Sequence, residues 1–187
     1  MRDVYQADEE LMLQYQKGNQ AAFEDLYRRY KDVLYRYFIK HCSDSHQSEE
    51  LYQEVWIKLI NSTARYQPKA KFKTYLFTIA HNTLIDFYRK AKPTQSFEIE
   101  DAEMTEELTN NPATLSLPED EFTLMQKTKQ FMQALEELPA HQKEAAILYF
   151  EQEMSVQEIA EITQVKTETA KSRLRYAKNK LKTAIVE

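Results

Sequence analysis

Lys171, Arg175 and Lys178 recur at four- and three-residue spacing, with Ser172 beside them, so a helix gathers them on one face. Arg and Lys side chains held in that way can contact guanine edges or phosphate oxygens, and a serine hydroxyl can do either. Ala170, Leu174, Ala177 and Leu181 form the opposite, inward face. Upstream, Ser155-Val156-Gln157-Glu158 is a capping box, in which the serine oxygen answers an orphan amide and the glutamate reaches back. Ile159, Ala160 and Ile162 are the buried side of the short helix it opens. Thr163-Gln164-Val165-Lys166 then makes a tight polar turn, and Thr167 is placed to cap the second helix. A short helix, a tight turn and a second helix with a basic outer face are the parts of a DNA-reading helix-turn-helix. An outward basic face alone is also what an ordinary solvated helix shows. The capping box, the turn and the one-sided charge together favour DNA.

The net charge of −5 argues against nucleic acid until its distribution is considered. Residues 164–187 hold seven basic side chains against two acids, whereas residues 97–121 hold nine acids and no Lys or Arg. Such segregation lets a basic face exist inside an acidic total. Other chemistries are excluded by what is missing. With one glycine in 187 residues, neither a P-loop nor a dinucleotide-binding fingerprint can be built, because both need backbone to approach phosphate closely. There is no H-E-x-x-H motif and no glycine-flanked serine elbow, so no catalytic residue and no cofactor is expected. His41, Cys42, Asp44 and His46 are zinc-ligand types, but they flank a helix end without finger spacing or a second pair, so no metal is expected. His81 and His141 read as structural.

Stepping out from these residues, helical periodicity runs through most of the chain, with no strand-like alternation and no internal repeat. Asp8 is a candidate cap for a short helix carrying Leu11, Met12 and Tyr15, stopped by Gly18-Asn19. Phe23, Leu26, Tyr27, Tyr30, Leu34, Tyr37 and Phe38 mark a second helix, and Leu51, Tyr52, Val55, Trp56, Leu59 and Ile60 a third. A loop around Tyr66-Gln67-Pro68, with Lys69, Lys71 and Lys73, leads into a fourth from about Phe72, burying Tyr75, Leu76, Ile79, Ala80, Leu84 and Phe87 and ending in Arg89-Lys90-Ala91-Lys92. From Pro93 to about Pro118 the pattern fails, and the polar, acidic composition predicts a linker. Helices return at about 122–138, 141–151, 156–162 and 167–184. The expected fold is all-α: two small helical domains, residues 1–92 and 122–187, joined by a flexible acidic linker over residues 93–121.

With these elements in place a family resemblance becomes specific. Leu138-Pro139-Ala140-His141-Gln142-Lys143-Glu144, followed by SVQEIAEITQVKTETAKSRLRYAKNKL, resembles region 4 of sigma factors, which binds the promoter −35 element. SEELYQEVWIKL resembles region 2.2, and FKTYLFTIAHNTLIDFYRK regions 2.3 and 2.4; the order and spacing are those of the extracytoplasmic-function (ECF) type of the sigma-70 family. The resemblance implies that Glu49, Glu50, Gln53 and Glu54 dock on the clamp of bacterial core RNA polymerase. One carboxylate of the usual acidic-Ala-Glu-Asp opening is missing from Gln47-Ser48-Glu49-Glu50, which raises the idea that phosphorylation at Ser48, Ser62 or Thr63 supplies charge. The fourth helix and the loop before it match the segment that takes the melted −10 strand. Aromatic faces receive unstacked bases and cations follow the backbone: Tyr66, Phe72, Tyr75, Phe77 and Tyr88 are the aromatics, and Lys69, Lys71, Lys73, Arg89, Lys90 and Lys92 the cations. Asn82 matches a family position near the pocket for a flipped base, and Thr78 replaces a residue that is commonly basic. Tyr75 lies on the apolar stripe and reads as core before stacking platform. The −35 contacts implied are Thr167, Lys171, Ser172, Arg175 and Lys178.

The resulting expectation is a promoter-directing initiation subunit, without enzymatic activity, whose partners are core polymerase and promoter DNA, with an anti-sigma factor or a kinase-based regulator as further candidates. Two alternatives stand beside it: a conventional regulator with an N-terminal sensor bundle, and an adaptor that sequesters a partner. The acidic linker fits either charge mimicry in a nucleic-acid channel or a solvated tether. Lone Cys42 suits a reducing compartment, MRDVYQADEE lacks the apolar core of a signal peptide, and no run nears the roughly 18 apolar residues of a membrane span. A cytoplasmic location is expected.

Overall fold

A computed structural model describes residues 6–42, 44–91 and 121–186, so Lys92 and the expected linker lie outside the described residues, save Glu121, which opens a helix. Four helices build the first half: α1 (Asp8–Gln16), α2 (Gln20–His41), α3 (Ser45–Ser62) and α4 (Phe72–Ala91), with a single 3-10 turn at Thr63–Arg65. Four more build the second: α5 (Glu121–Glu136), α6 (Ala140–Phe150), α7 (Val156–Ile162) and α8 (Thr167–Val186). No strand occurs among the described residues.

The helix ends follow local chemistry, with two departures from expectation. The Asp44 carboxylate caps α3 by accepting from the His46 amide at 2.9 Å. Gly18, at φ 97°, supplies the left-handed residue that turns the chain between α1 and α2. Asp8, expected to cap α1, is instead its first helical residue. Its carboxylate is drawn across to α2, where it accepts from Arg29 Nη1 at 2.5 Å and from the Tyr30 hydroxyl. Thr167 likewise lies inside α8 as its first residue rather than before it.

Leu26, Leu34, Tyr37 and Phe38 of α2 pack with Val55 and Leu59 of α3 and Leu76 and Leu84 of α4, all at 1% exposure or less. The Gln16 side-chain amide donates to the carbonyls of Thr63, Ala64 and Tyr66, fastening the loop before α4 to α1. In the second half, α8 is the central strut: α5, α6 and α7 all pack on it, and Ala170, Leu174, Ala177 and Leu181 are buried there as their spacing required.

One feature of α4 is not periodic in the expected way. Leu76, Ala80 and Leu84 are buried, whereas Tyr75, Ile79 and Phe87 are only partly so, and Phe77 and His81 extend the buried face to one side. The cause is tertiary. Helix α7 of the second half lies against α4, and α6 meets α2, so the two modules share one continuous apolar core.

Candidate functional site: three surfaces

The acidic face comes from α3, whose apolar stripe (Leu51, Val55, Trp56, Leu59) turns the intervening residues outward. Glu49, Glu50 and Gln53 are exposed. Glu54 is half-buried and pairs with Lys58 at 2.8 Å, and Glu50 stands 3.5 Å from His46. Beside them lie two exposed apolar side chains: Ile57, which the periodicity does not single out, is 56% exposed, and Ile60, expected on the buried stripe, is 43% exposed. Gln53, Ile57 and Ile60 succeed one another at helical spacing, so the face is acidic at its start and greasy at its end. Exposed isoleucines next to carboxylates suit a protein partner better than solvent. The signal in the sequence is that α3 has more apolar residues than one buried stripe can use.

The second surface is the loop before α4 together with α4 itself. Lys71 is largely exposed, and its ammonium meets the Glu158 carboxylate of α7 at 2.9 Å. That hydrogen bond and charge raise the Lys71 pKa, while Glu158, held by Lys71 against the opposing effect of burial and helped by the Ser155 amide and hydroxyl, is lowered to about 2. Lys73 is half-buried, donates to the Gln152 carbonyl at 2.5 Å, and has its pKa lowered, mainly by burial. Asn82 is exposed, and its Oδ1 accepts from Gln164 Nε2 at 3.4 Å. Arg89 and Lys90 are exposed in the last turn of α4. A recess of about 350 Å³ opens between Arg65, Tyr66, Lys69, Tyr75 and Thr78, with Glu161 of α7 in its wall.

The aromatic residues of this segment divide differently from expectation. Phe72 is a correction: it is wholly buried, edge-on to Tyr30 at 5.3 Å, so the face expected to receive a base is covered. The physical reason is its position at the first turn of α4, where it closes the core under α1 and its amide donates to Glu9 at 2.5 Å. Phe77 and Tyr66 are also core residues, at 0% and 5% exposure. The Tyr66 hydroxyl is buried without a hydrogen-bond partner, and burial is the main cause of its rise to about 12. Tyr75, expected to read as core, is only half-buried, and its hydroxyl pairs with Ser62 Oγ at 2.7 Å. Tyr88 is half-buried and donates to the His41 carbonyl at 2.8 Å.

The third surface is α8. The capping box of α7 is formed as the sequence required: the Glu158 amide donates to Ser155 Oγ at 3.2 Å and the Ser155 amide donates to Glu158 Oε2 at 2.9 Å. Gln164 takes φ 56°, and its left-handed backbone swings the chain into α8. Thr167, Lys171 and Arg175 are exposed along α8, and Ser172 is half-buried. Lys178 is also half-buried, with its ammonium 3.7 Å from the centre of the Tyr149 ring. Arg173, counted among the basic residues, points inward at 6% exposure and lines a cavity of about 450 Å³ with His81, Asn82, Arg89 and Gln164.

The remaining titratable groups cluster at the seam between the modules. Glu144 of α6 is 1% exposed and accepts from the Tyr37 hydroxyl at 2.6 Å and shares a 2.7 Å contact with His81 Nδ1. Burial works to raise this carboxyl, but the charge and hydrogen bond of His81, with His41 and Tyr37, outweigh it and hold it at about 2. Ser48, one of the candidate phosphorylation positions, is wholly buried and donates to the Asp44 carbonyl at 3.0 Å, so it is not presented to a kinase in the folded chain. His41 is buried while His46 is exposed beside Glu50, which separates the zinc-ligand types. Among the described residues no three His, Cys, Asp or Glu side chains converge to hold a metal, and no helix is long and apolar enough to cross a membrane.

An all-helical protein with a capped helix-turn-helix, a cationic loop-and-helix packed beside it and an exposed acidic-apolar face on α3 is, by class, a DNA-binding transcription protein with a protein partner. Family models agree: sigma-70 region 2 matches residues 14–94 and sigma-70 region 4 matches residues 128–181. The chain is 31% identical over 172 residues to the ECF RNA polymerase sigma factor SigW of Bacillus subtilis (strain 168), covering 90% of this chain and 91% of that one. It is also 31% identical over 166 residues to the RNA polymerase sigma factor YlaC of the same organism, covering 86% and 93%. Among solved structures, the sigma factor RpoE of Bartonella quintana, in complex with the anti-sigma factor NepR, has a TM-score of 0.61 at 25% identity over 87% of this chain and 97% of that one. CnrH, in complex with the cytosolic domain of CnrY, shares the fold at a TM-score of 0.67 and 19% identity, over 95% and 96%. The chain belongs to the sigma-70 family, in its ECF group. It is a transcription-initiation factor that directs RNA polymerase to promoters, and not an enzyme.

Proposed function

We propose that the chain grips one promoter at two separate places while holding core polymerase at a third. Residues 1–92 act as the polymerase-binding and −10 module, residues 122–187 as the −35 module, and residues 93–121 as the tether between them. The exposed Glu49, Glu50 and Gln53, with Glu54 beside them, meet basic and polar groups of the polymerase clamp, and Ile57 and Ile60 give that contact its apolar centre. Lys71, Lys73, Arg89 and Lys90 follow the backbone of the melted −10 strand, Asn82 reads a base edge, and the recess beside Tyr75 admits an unstacked base. On duplex −35 DNA, Lys171 and Arg175 read base edges or phosphates, with Thr167, Ser172 and Lys178 along the same helix.

The observation that carries the reading is the exposure of Lys171 and Arg175 on the second helix of a capped helix-turn-helix, on a module other than the one bearing the cationic loop. Run-off transcription with purified core polymerase on a library of randomised promoters tests it. The expected result is a shared pair of upstream elements among the selected templates, with the −35 element relaxed by Lys171→Ala. Transcript starts that are the same with and without the protein would overturn the reading. A cytoplasmic location accords with the lone, half-buried thiol of Cys42. An anti-sigma factor of the kind bound by the RpoE relative is proposed as a regulator for this chain too.

A further inference from the structure

Two exposed faces of the molecule carry opposite charge beside apolar side chains, and the packing of the chain leaves both open. On α3, Glu49 and Glu50 lead to Gln53, Ile57 and Ile60, with the Glu50 side chain 69% exposed. On α8, Lys171 and Arg175 are exposed, with Glu168 the acid among them. Lys178 joins this face to the end of α6, its ammonium 3.7 Å from the centre of the Tyr149 ring and 5.8 Å from that of Phe150. Phe150 is itself 46% exposed. Helix α3 packs on α2 and α4, and α8 on α5, α6 and α7, so neither charged face is used within the chain. Among the described residues no ion pair holds Glu49, Lys171 or Arg175.

We propose that these faces meet between two copies of this chain, α3 of one copy against α8 of the next. The match is double. Carboxylates oppose ammonium and guanidinium groups, and Ile57 and Ile60 oppose Phe150 and Tyr149. Like faces do not pair, because α3 on α3 sets carboxylates against carboxylates and α8 on α8 sets cations against cations. The contact therefore joins unlike faces, and it either closes as a two-fold pair containing two such contacts or runs on from copy to copy. Each face has far fewer residues than the roughly 20–30 a side of a standard interface, so the association is weak, reversible and dependent on concentration. It covers the α3 and α8 faces given above to polymerase and DNA, so the free factor is held in store until either partner competes for it. The pairing goes beyond those roles, and its test requires neither partner.

Sedimentation velocity on the full chain tests this. At about 0.1 M salt the mean sedimentation coefficient is expected to rise with protein concentration; at about 1 M, where the screening length falls from about 10 Å to about 3 Å, the rise should shrink. Glu49→Lys with Glu50→Lys, and separately Lys171→Glu with Arg175→Glu, should each associate at least about tenfold more weakly. Their circular dichroism melts should stay close to wild type, because all four side chains are exposed. An equal mixture of the two variants should regain association, since the reversed α3 of one then meets the reversed α8 of the other, a rescue that misfolded chains could not give. A wild type that stays monomeric at every concentration would overturn the proposal. So would association that persists in both variants, or a mixture that remains monomeric.

Discussion

Removal of the Glu144 carboxylate should cost more than any other single truncation of a charged group in this protein. Glu144 and Tyr37 are at 1% and 0% exposure, so the carboxylate, the Tyr37 hydroxyl and the His81 ring meet with water excluded. Glu144→Ala leaves the hydroxyl and His81 Nδ1 without this partner, at about 1–3 kcal/mol for each orphaned group, in line with roughly 3–5 kcal/mol for breaking a buried pair from one side. A loss of about 4 kcal/mol is therefore expected, against total stabilities of about 5–15 kcal/mol for ordinary domains. Tyr37→Phe removes one donor and leaves the rest, for about 1–2 kcal/mol. Since both act through one hydrogen bond, the double variant should fall short of the sum by about 1 kcal/mol or more. Urea unfolding followed by circular dichroism, on the wild type, both single variants and the double variant, measures all four corners. The two residues lie 107 positions apart, in different modules, so the coupling reports on the seam itself. Additive losses, or a Glu144→Ala cost under about 1 kcal/mol, would refute the reasoning, since a buried carboxylate with two intact contacts cannot be removed so cheaply.

Other outcomes follow from the same structure. Burial, aided by Lys143 and His81 and opposed by Glu144, lowers His41 to about 4, so an unfolded chain takes up a proton near pH 6.5 that the folded one refuses. His41 thus contributes stability present above about pH 6.5 and lost as pH falls towards 4, on the order of 3 kcal/mol in all; urea midpoints should fall over that window and be flatter in His41→Phe. Glu144, lowered to about 2, adds a second loss as pH falls from about 4.5 through 2. Ile57→Asp should weaken association with core polymerase at least as much as Gln53→Ala with Glu54→Ala, without lowering the melting temperature, because Ile57 is 56% exposed; normal holoenzyme formation by gel filtration would defeat the α3 assignment. Arg175→Ala should weaken −35 use by about 1–3 kcal/mol if it makes a bidentate base contact, and an unchanged promoter footprint would count against the register of α8. Ser155→Ala removes the cap of α7 and should cost about 1 kcal/mol, read by thermal unfolding.

The sequence by itself determined most of the local structure, because helix formation is written in spacing and caps. The stripe through α2, the capping box Ser155–Glu158, the start of α4 at Phe72 and the four inward residues of α8 all needed only nearby neighbours to be decided. The basic outer face of α8 was legible only in part, since Lys171 and Arg175 are exposed while Lys178 lies over the Tyr149 ring and Ser172 is half-buried. What spacing cannot carry is the identity of the surface across the way. Phe72 and Tyr66 have the chemistry of stacking platforms, and only the cover of α1 and α2 makes them core; Ile57 and Ile60 have the chemistry of core, and only the lack of a neighbouring helix makes them surface. Asp8 could cap α1, yet Arg29 and Tyr30 compete for it from another helix. The seam is the extreme case. His81 and Glu144 are separated by 63 residues and Lys71 and Glu158 by 87, and no local pattern links them. Their pairing is a free-energy balance between desolvation and charge that exists only once two modules meet, so tertiary structure alone decided that the lysine-bearing loop before α4 is met by α7.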